Sequence, residues 1–324
     1  MISEDDLIAR FFAPIAGEGG LGLRDDAALI AIGADEELVV TSDALAAGVH
    51  FFADDPPRSI ARKALRVNLS DLAAKGAKPA GFLLSLALPK NWREEWLTAF
   101  AEALGQDARG YTCPLLGGDT IQSPDALFLS ITTFGTVPRG KMVPRTGARA
   151  GDRIYVSGTI GDAAAGLIMR KSAGDKPLDA SARDFLVERY LHPQPRLALA
   201  PILRARASAA MDVSDGFVGD LTKMLRVSGV SATIDLNRIP LSEPMRAALA
   251  ADPALFDRLL TGGDDYEILC TVAPDKSDQF EAAAKQAGID VTAIGTATTG
   301  NDLPCFLDRN GTKRTFRRES FSHF

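Results

Sequence analysis

Aspartates carry most of the chemistry in this sequence, and they are not spread evenly. Asp25 and Asp26 precede Ala27-Ala28-Leu29-Ile30, and Thr41-Ser42-Asp43 closes the apolar run Leu38 to Thr41. Gly117-Gly118-Asp119-Thr120 follows Leu115-Leu116, and Asp212-Val213-Ser214-Asp215-Gly216 follows Ala209-Ala210-Met211. Gly263-Asp264-Asp265 precedes Tyr266-Glu267-Ile268. Any one of these would be read as a turn or a helix cap. The same grammar repeated along the chain, at the ends of apolar elements where loops build sites, predicts an acidic site. Carboxylates gathered together raise one another's pKa unless cations intervene. Mg²⁺ suits such a set, being a hard ion that takes oxygen ligands and keeps waters for substrate phosphates.

The elements that must position these groups follow from periodicity. Ile60 to Lys75 reads as a helix with Leu65, Leu69 and Leu72 on one face and Asn68, Asp71 and Lys75 on another. Asp71, flanked by leucines and alanines, needs a partner or a metal, and Lys75 one turn on is the competing partner. Asp212 ends a strand, and Ser214 or Asp215 is placed to cap a helix whose apolar face is Phe217, Leu221, Met224 and Leu225. Helix N-termini attract anions, so Ser214 is expected to touch a phosphate directly while Asp212 and Asp215 reach it through metal. Leu38 to Thr41 reads as a short buried strand, and Phe82 to Leu88 and Leu127 to Phe134 as longer ones. Trp92, Trp96, Phe100 and Leu104 recur at helical spacing. Strands are expected at Ile154 to Val156 and Tyr266 to Val272, and helices at Asp184 to Leu191, Phe217 to Val227 and Ser277 to Ala287. Arg309-Asn310-Gly311 signals a turn between two late strands.

The chain has 324 residues, 46% hydrophobic and 24% charged, with a net charge of −6. This composition argues for a globular protein and against nucleic-acid binding through a basic face. The cysteines Cys113, Cys270 and Cys305 have no CxxC spacing and read as free thiols in a reducing cytoplasm. The acidic start carries no signal-peptide pattern, and no apolar run approaches the ~20 residues of a membrane span. A Gly-, Pro- and Arg-rich stretch from Val137 to Gly151 separates two segments that each hold strands and helices. We therefore expect domains at residues 1–138 and 149–324. Gly135 to Met142 nearly fits a P-loop, but Met142 replaces the hydroxyl residue and Pro138 lies inside the loop. No protein nucleophile stands out.

Taken in order, these motifs resemble the thiamine-phosphate kinase family. The resemblance rests on Asp25-Asp26-Ala27-Ala28, Thr41-Ser42-Asp43, Gly48-Val49-His50-Phe51, the string Lys63 to Ala74, Gly117-Gly118-Asp119-Thr120, Gly158 to Leu167, Met211 to Gly216 and Gly262 to Leu269. It implies an α/β (α+β) chain with the two-domain aminoimidazole ribonucleotide synthetase-like fold. That fold has mixed sheets with helices, an active-site cleft between the domains, and a homodimer joined through the N-terminal domains. It implies ATP-dependent phosphorylation of thiamine monophosphate to thiamine diphosphate with several Mg²⁺ ions. By the same resemblance Asp26, Thr41, Ser42, Asp43, Asp71, Asp119, Asp212 and Asp215 would be metal ligands. Tyr111, Gly118, Asp119, Arg145 and Ser214 would bind ATP, and His50, Asp264 and Phe321 would face the substrate. The sequence departs from the family at Arg24, where Gly is usual, at Asp264, where Glu is usual, and at Phe321, where Tyr or Trp is common. Two alternatives remain: another ATP-using enzyme of the same fold, such as aminoimidazole ribonucleotide synthetase, or a non-catalytic nucleotide- and metal-binding regulator.

Overall fold

A computed structural model describes residues 3–24, 27–171, 178–316 and 320. Asp26 and Phe321 lie outside the described residues. The chain forms two compact units, one of Met1–Leu72 with Ala77–Lys141, the other of Ala73–Gly76 with Met142–Phe324.

The first unit begins with a short helix, α1 (Glu4–Leu7), continued by irregular turns to Leu23. Its start is fixed by the Asp6 amide donating to Ser3 Oγ at 3.1 Å, and Leu7, Phe11 and Phe12 are buried. There follow β1 (Glu36–Ala46), α2 (Pro57–Ala74), β2 (Lys78–Pro89), α3 (Glu94–Gly110), β3 (Leu115–Ser123) and β4 (Phe128–Pro138). The strands form one mixed sheet in the order β1-β4-β2-β3, with only β2 and β3 parallel. Side chains alternate across such a sheet. On one face Val39, Leu45, Leu84, Leu86, Leu129 and Ile131 are buried. α2 lies against this face, its Leu72 reaching Gly135 of β4. α3 is tied to α2 by the Arg66–Asp107 pair at 2.6 Å. The Trp96 and Phe100 rings stack with centroids 5.2 Å apart, as the helical spacing predicts. The opposite face stays open and exposes Leu38, Val40, Ile121 and Phe128. The short buried strand expected at Leu38 to Thr41 is therefore an eleven-residue amphipathic one, with only Val39 of the Leu38–Val40 run buried.

The second unit contains β5 (Arg153–Ser157), α4 (Asp162–Lys171), α5 (Ala180–Leu191), α6 (Ala200–Arg206), β6 (Ala207–Asp212), α7 (Phe217–Ser228) and β7 (Ser231–Asp235). It continues with α8 (Glu243–Ala251), α9 (Leu255–Leu260), β8 (Ile268–Val272), α10 (Ser277–Gln286), β9 (Val291–Thr298), β10 (Cys305–Leu307) and β11 (Lys313–Arg314). The sheet runs β11-β10-β7-β9-β5-β8-β6. Both of its faces are covered. Ile154, Val156 and Met211 pack with Leu221, Met224 and Leu225 of α7. Their opposite-parity neighbours Tyr155, Ala210 and Cys270 pack with Phe280 and Ala284 of α10 and Leu203 of α6. A third cluster joins α4, α5, α8 and α9. Gly311 adopts φ 73° in the expected turn between β10 and β11.

Phe280 is fully buried and meets the Tyr155 ring edge-on at 5.1 Å. Phe280→Ala is expected to cost about 3–5 kcal/mol, because the cavity left under the sheet adds to the lost burial. Urea unfolding monitored by circular dichroism reads this directly.

Candidate functional site

In the first unit the acidic residues divide by strand parity. Thr41 and Asp43 share the parity of buried Val39 and Leu45 and so face α2. There Thr41 Oγ1 donates to Asp71 Oδ2 at 2.5 Å, and the Asp43 amide donates to Asn68 Oδ1 at 3.2 Å. The second bond has a structural reason: β1 is an edge strand, its outward amides lack a neighbouring strand, and Asn68 covers one of them. Asn68 is itself fixed by donating to the Ala64 carbonyl at 3.1 Å. The string Asn68 to Asp71 thus binds helix to strand and brings Thr41, Asp43 and Asp71 together.

Ser42 and Asp119 point the other way. Ser42 Oγ lies 2.9 Å from Thr132 Oγ1 on the open face, and Asp119 pairs with Ser85 of β2 on that same face. Three strand spacings separate the row of Asp119 from β1, about 14 Å. Both Asp43 and Asp119 sit inside strands and not at their ends. The glycines before Asp119 do not stop β3; they let it approach β2, since a Cβ on Gly118 would meet the Leu84 carbonyl oxygen at 1.8 Å. A cavity of about 600 Å³ opens over this face, lined by Asp119, Gly118, Ser85, Thr132 and Ala27-Ala28. Tyr111 follows α3 and carries the Arg66 guanidinium 5.7 Å from its ring centroid. His50 closes the turn after β1: its Nδ1 accepts from the Ala46 amide at 3.1 Å, so in the neutral ring the proton sits on Nε2. Lys63 holds the same turn by donating to the His50 carbonyl.

In the second unit Asp212 ends β6, as expected, and is buried. The turn after it is built differently from the expectation. Neither Ser214 nor Asp215 caps α7; Gly216 occupies the cap position. The amides of Ser214, Asp215 and Gly216 all donate to Asp220 Oδ2, at 3.0, 2.9 and 3.2 Å. A carboxylate from inside the helix thus fills the place where a phosphate was expected to meet the amides. Within the Ser214–Gly216 turn, the Ser214 hydroxyl and the Asp215 carboxylate, the latter paired with Lys223, are the groups not taken by Asp220. Asp220 is fully buried, and burial pushes its pKa up against the pull of Lys223. Lys223 Nζ donates to Asp220 Oδ1 at 3.0 Å and to Asp215 Oδ2 at 2.6 Å. Asp220, the central member, had one sequence signal: it is the single carboxylate of α7, four residues after Gly216.

The Gly262–Glu267 turn lies directly on this loop. The Asp264 amide donates to the Ser214 carbonyl at 2.9 Å and the Tyr266 amide to the Val213 carbonyl at 2.8 Å. Asp264 and Tyr266 adopt φ of 75° and 51°, left-handed values that non-glycine residues rarely take. Between them Asp265 is buried and accepts from the Gly161 and Ala163 amides at the start of α4. Burial drives its pKa well up, and those two amides oppose the shift only in part. Glu267 is fully buried with Arg189 at 2.7 Å, Arg196, and Ser157 Oγ at 2.6 Å. Arg145 is exposed in the segment covering the β6 edge, where the Ala210 amide donates to the Pro144 carbonyl.

The donors offered in each unit are carboxylate, hydroxyl and amide oxygens. Among the described residues no group of three or more His, Cys, Asp or Glu side chains is close enough to hold a metal by itself.

Comparison with known proteins places these features. Residues 24–137 match the AIR synthase related protein N-terminal domain and residues 149–307 its C-terminal domain. The thiamine-monophosphate kinase of Caulobacter vibrioides is 40% identical over 94% of this chain and 86% of that protein. This chain belongs to the thiamine-monophosphate kinase family. The crystal structure of the Stenotrophomonas maltophilia thiamine-monophosphate kinase superposes with a TM-score of 0.81 at 40% identity, covering 90% of this chain and 91% of that one. The structure of AaThiL complexed with AMPPCP and TMP gives 0.77 at 30% identity, covering 93% and 91%. The two-domain fold expected from the sequence is that of these kinases.

A Cβ on Gly263 would lie 2.2 Å from the Ser214 carbonyl oxygen. Gly263→Ala is therefore expected to force the two turns apart at a cost of about 1–3 kcal/mol. A thermal melt indistinguishable from the parent's would show that they are not packed as described.

Proposed function

We propose that this chain transfers the γ-phosphoryl group of ATP to the phosphate of thiamine monophosphate, giving thiamine diphosphate and ADP. The observation that carries this reading is the family membership, together with a relative's complex with AMPPCP, a non-hydrolysable ATP analogue, and TMP. Thr41, Asp43 and Asp71, with Ser42, Asp119, Asp212 and Asp215, supply the hard oxygen donors that Mg²⁺ prefers, and Asp26 would add to them. Bound there, Mg²⁺ would neutralise the charge on both phosphate-bearing molecules.

The acceptor is already an anion, so no strong general base has to remove a proton. In this reading catalysis rests on positioning and charge. Ser214 Oγ, Gly118, Tyr111 and Arg145 are assigned to ATP. His50 is assigned to the substrate, held beside β1 by the bond from the Ala46 amide to its Nδ1. Asp264 and Phe321 are assigned to the cationic thiamine. Asp264, one methylene shorter than the usual Glu, keeps the negative charge at this position. A regulator that had lost turnover would be expected to have lost some of these oxygens, whereas every acidic position is filled. We place the reaction in the cytoplasm, in keeping with the buried free thiols of Cys113 and Cys270.

We further propose a homodimer through the open sheet face of the first unit, where Leu38, Val40, Ile121 and Phe128 present apolar surface. Val40→Glu should shift sedimentation from dimer to monomer, and an unchanged dimer would exclude this face.

The activity is tested by steady-state ADP release with thiamine monophosphate, thiamine and aminoimidazole precursors side by side. Release is expected with thiamine monophosphate alone. Asp43→Asn or Asp71→Asn should abolish turnover while the circular dichroism spectrum is kept. Full activity of either variant at ordinary Mg²⁺ would remove these residues from the metal site.

A further inference from the structure

The Ser214–Gly216 turn has the form of an anion nest, with three successive amides converging on one oxygen. In this chain the oxygen is internal, Asp220 Oδ2, and the carboxylate that supplies it is sealed from solvent. Its other oxygen is held by Lys223, which also bonds Asp215. The turn is braced from outside as well. Gly216, at φ 124°, has the Thr261 backbone where a Cβ would stand, and Gly263 lies against the Ser214 carbonyl. With the amides committed inward, the Ser214 hydroxyl and the Asp215 carboxylate are the parts left half-exposed. The loop therefore presents side chains to its ligand and keeps its backbone dipoles for itself.

We propose that Asp220 is a positioning residue for nucleotide binding. Its carboxylate substitutes for the anion a nest would otherwise recruit, and so fixes the direction in which Ser214 and Asp215 project. The assignment rests on the reading that Ser214 and Asp215 contact Mg²⁺-bound ATP. Removing the carboxylate leaves three amides without an acceptor. The turn then has no reason to keep its shape, and the amides are free to capture a phosphate in a geometry the reaction does not use. Replacing it by an amide keeps one acceptor oxygen of the same reach, but sets an N–H₂ group against Lys223.

The test compares Asp220→Ala, Asp220→Asn, Ser214→Ala and Asp215→Asn in the full-length protein. Calorimetry with AMPPCP and Mg²⁺ gives nucleotide affinity, and steady-state assays give kcat and the two KM values separately. Thermal melting and circular dichroism report the fold. D220A is expected to bind AMPPCP about tenfold or more weakly, the scale seen when a group orienting a ligand-binding residue is lost. Its KM for ATP should rise much more than its KM for thiamine monophosphate, and D220N should recover part of the loss. A purely structural role would lower the melting temperature without separating the two KM values, and that result overturns the proposal. So does parental AMPPCP affinity in folded D220A. If D220A does not fold, D220N decides: weakened AMPPCP binding at a parental melting temperature supports the role, and parental binding overturns it. If S214A and D215N also bind AMPPCP like the parent, the underlying nucleotide assignment has failed. If they weaken binding while D220A does not, only the role of Asp220 has.

Discussion

A carboxylate removed from water must be given donors or a cation, and both units of this protein are organised around that requirement. Asp71 is met by the Thr41 hydroxyl, Asp220 by three amides and an ammonium, and Asp265 by two amides at a helix start. Glu267 is met by two guanidinium groups and a hydroxyl. The groups left half-exposed, such as Asp43, Asp215 and Asp264, are those assigned to ligands. The chain thus uses one residue type in two ways. Asp220, Asp265 and Glu267 are sealed and shape the loops, while the groups assigned to ligands include half-exposed carboxylates and also the buried Asp212.

This division explains what the sequence could and could not tell. Periodicity located α2, α7 and the strands β2, β4, β5 and β8, because burying one face of an element leaves a regular mark, but it did not mark β7 or β9. The acidic clusters were legible as groups that need cations. Their arrangement was not. A run such as Gly117-Gly118-Asp119 looks like the end of a strand, because glycine and aspartate favour turns. In the structure it lies mid-strand, where glycine lets neighbouring backbones close up. The near-identical Gly262-Gly263-Asp264 does form a turn, so the same letters serve two geometries, decided by what packs beside them.

The helix cap at residues 214–216 is a second instance. Local rules favour Ser214 or Asp215 as the cap, since both have the right side chains at the right place. The amides instead take Asp220, one turn inside the helix, where the surrounding apolar residues deepen the electrostatic gain of satisfying a buried anion. Sequence rules that consider only the residues before a helix miss a cap supplied from within it. The parity of Ser42 against Thr41 and Asp43 was likewise hidden, because three adjacent polar residues give no hint of which face each takes until the strand is known to continue.

The left-handed backbone at Asp264 carries an evolutionary implication. An aspartate there stores strain of order 1 kcal/mol that glycine would not. Selection for robustness alone would drift this position toward glycine and erase the acidic group. With Tyr266 also left-handed, backbone strain is concentrated in the turn that braces the Ser214 loop. Laboratory evolution for heat resistance would be expected to damage the protein there first.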